Sequence, residues 1–61
     1  MQRDDVINLM TDVVVKLNRE IAAQQNVEKD TIEDFINMSI PQFKYVNGLL
    51  YDLLETNGII K

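Results

Sequence analysis

Sixty-one residues without a cysteine or a histidine leave this chain few ways to become stable. A chain of this length buries only about 60% of the surface that its unfolded form exposes, and small domains usually add a disulfide, a metal or a partner chain. Without these residue types, a disulfide and a structural zinc site are excluded. The hydrophobic fraction of 46% disfavours intrinsic disorder. The composition therefore predicts a single small domain, residues 1–61, that depends on a second chain.

The first long segment, residues 3–25, has the periodicity of an amphipathic helix. Its apolar positions recur every three or four residues, at Ile7, Met10, Val14, Leu17 and Ile21. Asp4 and Asp5 suit the positive end of the helix dipole, and Asn26 is a suitable left-handed residue for the end of the helix. The three valines at 13–15 leave a strand as a minor alternative.

A short second helix is predicted to begin near Asp30. Asp30 and Glu33 have the spacing of a capping box, in which each side chain satisfies a free backbone N–H. Pro41 should end this helix, because proline has no N–H and disfavours helical geometry in the residue before it.

A third helix is predicted over residues 40–56. Ser39 and Gln42 repeat the capping-box spacing, and Gly58 is expected to be left-handed at the far end. Asn47-Gly48 is also typical of the turn of a β-hairpin, so two strands are an alternative here. Leucines at helical spacing favour the helix, because leucine is not a preferred strand residue. In a helix, Gly48 is explained by a close crossing of another helix.

Apolar side chains cover about two-thirds of the circumference of this third helix, which is more than two other small helices can bury. We therefore expect an all-α, three-helix chain with a long N-terminal helix, a short helix and a C-terminal helix. It should form an intertwined or side-by-side helical homodimer. The predicted interface for the dimer or a protein partner comprises Ile7, Met10, Val14, Leu17, Ile21, Phe43, Tyr45, Val46, Leu49, Leu50 and Leu53.

The residue types needed for most enzyme chemistry are missing. No histidine, cysteine or glycine-rich loop is present to act as a base, a nucleophile or a phosphate cradle, so we expect no catalytic, cofactor or metal site. A net charge of −4 disfavours binding to nucleic acid and to anionic membranes. These observations indicate a cytoplasmic, non-enzymatic regulator or adaptor that binds an unknown protein. In size and composition it is comparable to bacteriophage and plasmid accessory proteins, and a purely structural module is a further possibility.

One alternative concerns DNA. Residues 31–36, a short break at 38–40 and a helix that ends in the sequence LLETNGII resemble the core of winged-helix and helix-turn-helix proteins. The resemblance covers residues 31–60 and implies that Gln42, Lys44, Tyr45 and Asn47 face the major groove. Residues 31–61 carry four acidic and two basic side chains, which favours protein contacts over phosphate contacts.

Overall fold

The computed structural model describes residues 1–59, which form two α-helices joined by a short link. α1 spans Arg3–Gln24 and α2 spans Lys29–Thr56. The all-α class is confirmed, but the three-helix chain is wrong, because the expected second and third helices are one continuous helix. The β-hairpin alternative is also wrong, since Asn47 and Gly48 lie inside α2.

The two helices run antiparallel as a helical hairpin. Arg3, at the start of α1, contacts Asp52 near the end of α2. Arg19, in the last part of α1, contacts Glu33 near the start of α2. The hairpin is a rod of 40 × 19 × 17 Å.

Pro41 does not end a helix but lies within α2. Its ring removes one backbone hydrogen bond, the one that would reach the carbonyl of Asn37. Both residues are exposed, so water can solvate that carbonyl. Residues on both sides of Pro41, such as Ile36 and Asn47, are buried. Burial of the helix on either side therefore offsets the lost bond.

The expected capping boxes are not formed, because neither begins a helix. Ser39 lies in the interior of α2, and Asp30 is its second residue. Glu33, the expected partner of Asp30, instead accepts hydrogen bonds from Arg19. The spacing of a capping box therefore does not distinguish residues that begin a helix from residues that form an ion pair with another helix.

The C-terminal ends of both helices adopt the left-handed geometry that the sequence predicts. Asn26 has φ of 57°, and the N–H of Val27 donates to the carbonyl of Ala22 at 3.0 Å. Gly58 has φ of 75°, and the N–H of Ile59 donates to the carbonyl of Leu54 at 2.9 Å. These six-to-one bonds define Schellman caps, which satisfy the last carbonyls of each helix.

The core between the helices is small. The buried hydrophobic residues are Ile7, Ala22, Ile36 and Tyr51, and among the described residues only Ile36 is fully enclosed. Two helices can bury only the strip along which they meet, so most apolar side chains remain at the surface.

Candidate functional site

The line of contact between α1 and α2, here called the seam, includes Gly48, which is buried. A Cβ atom at this position would lie 3.2 Å from Nη2 of Arg3 and 3.7 Å from Cδ1 of Ile7. Both neighbours are side-chain ends and no backbone atom of α1 lies within 4 Å of that Cβ, so Gly48 contacts α1 but these contacts do not require the close helix crossing that the sequence predicts. Tyr51, one turn further along α2, is buried in the same region, with its ring centre 5.9 Å from the guanidinium carbon of Arg3.

A polar pair lies in the middle of the seam. Asn47 donates from Nδ2 to Oγ1 of Thr11 at 3.1 Å, and Thr11 in turn donates to the carbonyl of Ile7 at 2.8 Å. Asn47 and Thr11 are 5% and 3% exposed. A polar pair with satisfied donors costs little to bury, and it aligns the helices because other alignments would leave its groups unpaired.

Each end of the seam carries an ion pair with two hydrogen bonds. Arg3 donates to both carboxylate oxygens of Asp52, at 2.9 and 3.1 Å. Arg19 donates to both oxygens of Glu33, at 2.8 and 2.9 Å. These bonds hold the pKa of Asp52 and of Glu33 below their ordinary values. Both pairs are largely solvated, so they define the ends of the hairpin more than they stabilise it.

One long side of the hairpin carries exposed apolar side chains from both helices. We call this side the apolar face and define it by four residues of α1 and four of α2: Leu9, Val13, Leu17, Ile21, Phe35, Val46, Leu50 and Leu53. Five of them line its grooves, and Leu17, Ile21 and Leu53 are assigned to this side from their helical spacing. Each of the eight side chains is between 43% and 61% exposed. Eight large hydrophobic residues, twice the number buried in the seam, are thus half in contact with solvent.

Two grooves show that both helices contribute to this face. In one, of about 450 Å³, Val14 of α1 lies with Phe43 and Val46 of α2. In the other, of about 330 Å³, Met10 and Val13 lie with Leu50. No charged residue lines either groove.

The opposite long side, here called the charged side, carries more charged residues. A groove there is lined by Arg3, Lys44 and Asp52 together with uncharged residues, Ile7, Pro41, Tyr45, Gly48 and Leu49. At 100° per residue, Asp12 on α1 and Asp34 on α2 also project to this side, and both are exposed. The hairpin is therefore amphipathic as a whole, with one face for water and one without a partner.

The residues predicted as an interface divide into four groups in the structure. Ile7 is buried in the seam. Met10, Val14 and Phe43 are half-buried at the floor of the apolar face. Leu17, Ile21, Val46, Leu50 and Leu53 are exposed on the face itself. Tyr45 and Leu49 are exposed at the outer edge of α2, where both line the groove of the charged side.

The residues implied by the helix-turn-helix resemblance do not come together. Lys44 and Tyr45 lie on the charged side, and Gln42 lines a groove of the apolar face. Asn47 is buried against Thr11. The break expected at residues 38–40 lies inside α2, so the turn that this motif requires is missing.

The sequence did not lead us to place Leu9, Val13 or Phe35 in the interface. Leu9, Val13, Leu17 and Ile21 repeat every four residues, and this regular series could have marked the exposed stripe of α1. Phe35 was hidden by the incorrect break before Pro41. The ion pairs and the buried Asn47–Thr11 pair join residues distant in sequence, so no local sequence pattern predicts them.

The chain matches no protein-family model, no curated protein and no solved structure. Within residues 1–59, no helix is long and apolar enough to cross a membrane. The same residues contain no group of three acidic, cysteine or histidine side chains that could hold a metal ion. The apolar face is therefore the candidate functional surface.

Proposed function

We propose that this chain is a small, acidic, non-enzymatic regulator or adaptor that acts by binding proteins as a helical homodimer. The observation that carries the proposal is the apolar face, whose eight large side chains are about half exposed while the seam buries four hydrophobic residues. Contiguous apolar surfaces of this kind mark interaction sites in soluble proteins. We also propose that the chain acts in the cytoplasm, as an accessory protein of the kind found in phages and plasmids.

The size of the core supports association with a second chain. Native proteins keep only a small margin of stability, and burial of apolar surface is its main source. In this hairpin Ile36 alone is fully enclosed among the described residues. A partner on the apolar face would bury the exposed half of eight large hydrophobic side chains in addition to the core of the seam.

Sedimentation combined with a helical-content spectrum, recorded from high to low micromolar concentration, tests this proposal. We expect a mass above the 7.1 kDa of one chain, and helix content that falls as dilution separates the copies. A fully helical, stable monomer at low micromolar concentration would contradict it.

Two other functions have separate tests. DNA binding would appear as affinity for random duplex tighter than micromolar that weakens steeply with salt. A purely structural module would retain no protein from a host lysate, whereas an adaptor would retain a specific one even when the apolar face is already covered. The acidic balance and the missing turn favour protein binding over DNA binding.

A further inference from the structure

We propose that a second copy of this chain covers the apolar face, stacked face to face so that the four helices form one closed bundle of two chains. This inference rests on the proposed function, because it specifies how the homodimer is built. It makes two claims that the proposed function does not: both helices of each copy are covered at once, and assembly stops at two.

The surface area of the hairpin matches what such a dimer needs. The chain exposes 4925 Å². A compact folded monomer of its mass, 7.1 kDa, would expose about 4100 Å². The excess of about 800 Å² equals the area that each partner contributes to a protein interface of standard size. One interface of that size would therefore bring the protein to an ordinary degree of burial.

The positions of the apolar side chains fit a bundle and not a simple pair of helices. Each helix buries one strip in the seam and exposes a second apolar strip centred about 110–130° away, on the same side of the hairpin. Shared grooves, such as the one that joins Val14 to Val46, show that the two strips are adjacent. A helix with apolar strips in two directions can pack on two neighbouring helices at once, as each helix does in a four-helix bundle.

The lack of charge in the grooves of the apolar face suits a second copy as the occupant. The charges on the opposite side suit an assembly of two copies. No charged residue lines the grooves of the apolar face, so an identical face can stack on it without burying an unpaired charge. The charged side, with Asp12, Lys44 and Asp52, then points outward on both copies. Stacking would use the apolar faces of both copies in one contact, so the two-fold interface is closed, although Met38, Tyr45 and Leu49 stay exposed at the outer edge of α2.

Single cysteines provide a direct test because the chain has none of its own. Leu17→Cys and Val46→Cys place one thiol on the apolar face, in α1 and in α2 respectively. The matched controls are Lys16→Cys and Lys44→Cys, each within two residues of its partner on the same helix and exposed. The rate of reaction with a soluble aromatic disulfide reagent is measured at high and at low protein concentration, together with the mass of the natural chain.

We expect a mass of twice 7.1 kDa. At high concentration, both face cysteines should react on the order of tenfold more slowly than their controls, because a thiol reacts only where reagent can reach it. Dilution below the dissociation constant should remove the difference.

The other outcomes separate this inference from the proposed function. A dimer that protects only one of the two face cysteines is still a homodimer but is not the closed bundle. A trimer or larger assembly also overturns the bundle while leaving self-association intact. A folded monomer overturns both, and so does a chain whose face cysteines are protected only by added lipid vesicles.

Discussion

The seam and the apolar face use their residues in opposite ways. The seam contains a glycine, a buried polar pair and two solvated ion pairs, with Ile36 as its one fully enclosed side chain. The apolar face contains large hydrophobic side chains only, and each is about half exposed. The comparison teaches that the seam aligns the two helices through specific contacts, whereas the apolar face leaves large hydrophobic side chains that only another molecule can bury.

The largest effect is expected from a charge placed on the apolar face. Leu50→Glu or Leu53→Glu places a charge on the apolar face, where a covering partner would desolvate it, at a cost of more than about 4 kcal/mol. Both the oligomer and the folded state should be lost, as measured by sedimentation and circular dichroism. Asn37→Glu, an exposed position on the same helix, is the control and should leave both intact. Folded, dimeric Leu50→Glu and Leu53→Glu variants would show that the face is not an interface.

A substitution in the seam should have an intermediate effect. Gly48→Val would press its methyl groups against Ile7 and Arg3, and overpacking of this kind costs about 1–3 kcal/mol. Gly48→Ala is the matched control. Its Cβ meets chiefly the mobile end of Arg3, and alanine gains about 1 kcal/mol in helix propensity over glycine, so we expect little loss or a gain. Urea unfolding at fixed protein concentration measures both variants, and equal stability for the two would argue against a close crossing.

The polar pair should contribute less than the contact at Gly48. Asn47→Ala removes the donor to Thr11, while Thr11 keeps its bond to the carbonyl of Ile7. Loss of one buried hydrogen bond costs about 1 kcal/mol. The variant Thr11→Val completes a double-mutant cycle, whose coupling energy isolates the pair. A coupling of zero would mean that the two side chains do not align the helices.

The ion pairs at the ends of the seam should have the smallest effect, and acid should reveal it. Arg3 and Arg19 lower the pKa of Asp52 and of Glu33. Their contribution is therefore complete above the ordinary carboxyl pKa, at about pH 4, and is lost as the pH falls through the lowered values. The difference in melting temperature between the natural chain and the variant Asp52→Asn/Glu33→Gln should shrink over that range. A difference independent of pH would contradict this.

Local patterns in the sequence were enough to predict the first helix and both of its ends. The period of Ile7, Met10 and Leu17 and the left-handed residue Asn26 lie within one segment, so neighbouring residues determine them. The same holds for Gly58 at the end of α2. Gly48 does lie against α1, beside the side chains of Arg3 and Ile7, but the close helix crossing predicted there stays a prediction.

Pro41 shows where such reasoning fails. Its local preference is to end a helix, yet α2 continues through it because its surroundings on both sides are packed on α1 and the freed carbonyl of Asn37 faces water. That balance depends on which side of the helix is exposed, which was unknown before the partner of the helix was known. The split of the interface set, with Ile7 buried and Leu17 exposed, has the same origin. Which apolar strip of a helix is buried in the seam depends on how the two helices pair.

The four-residue link between α1 and α2 has a consequence for the speed of folding. Closing a loop this short takes less than a microsecond, and helical pairs with nearby contacts fold among the fastest of all topologies. Forming the hairpin is thus quick and independent of dilution. If completion of the native state requires a second molecule, its overall rate should follow the square of the chain concentration, and encounter between molecules becomes the slow step.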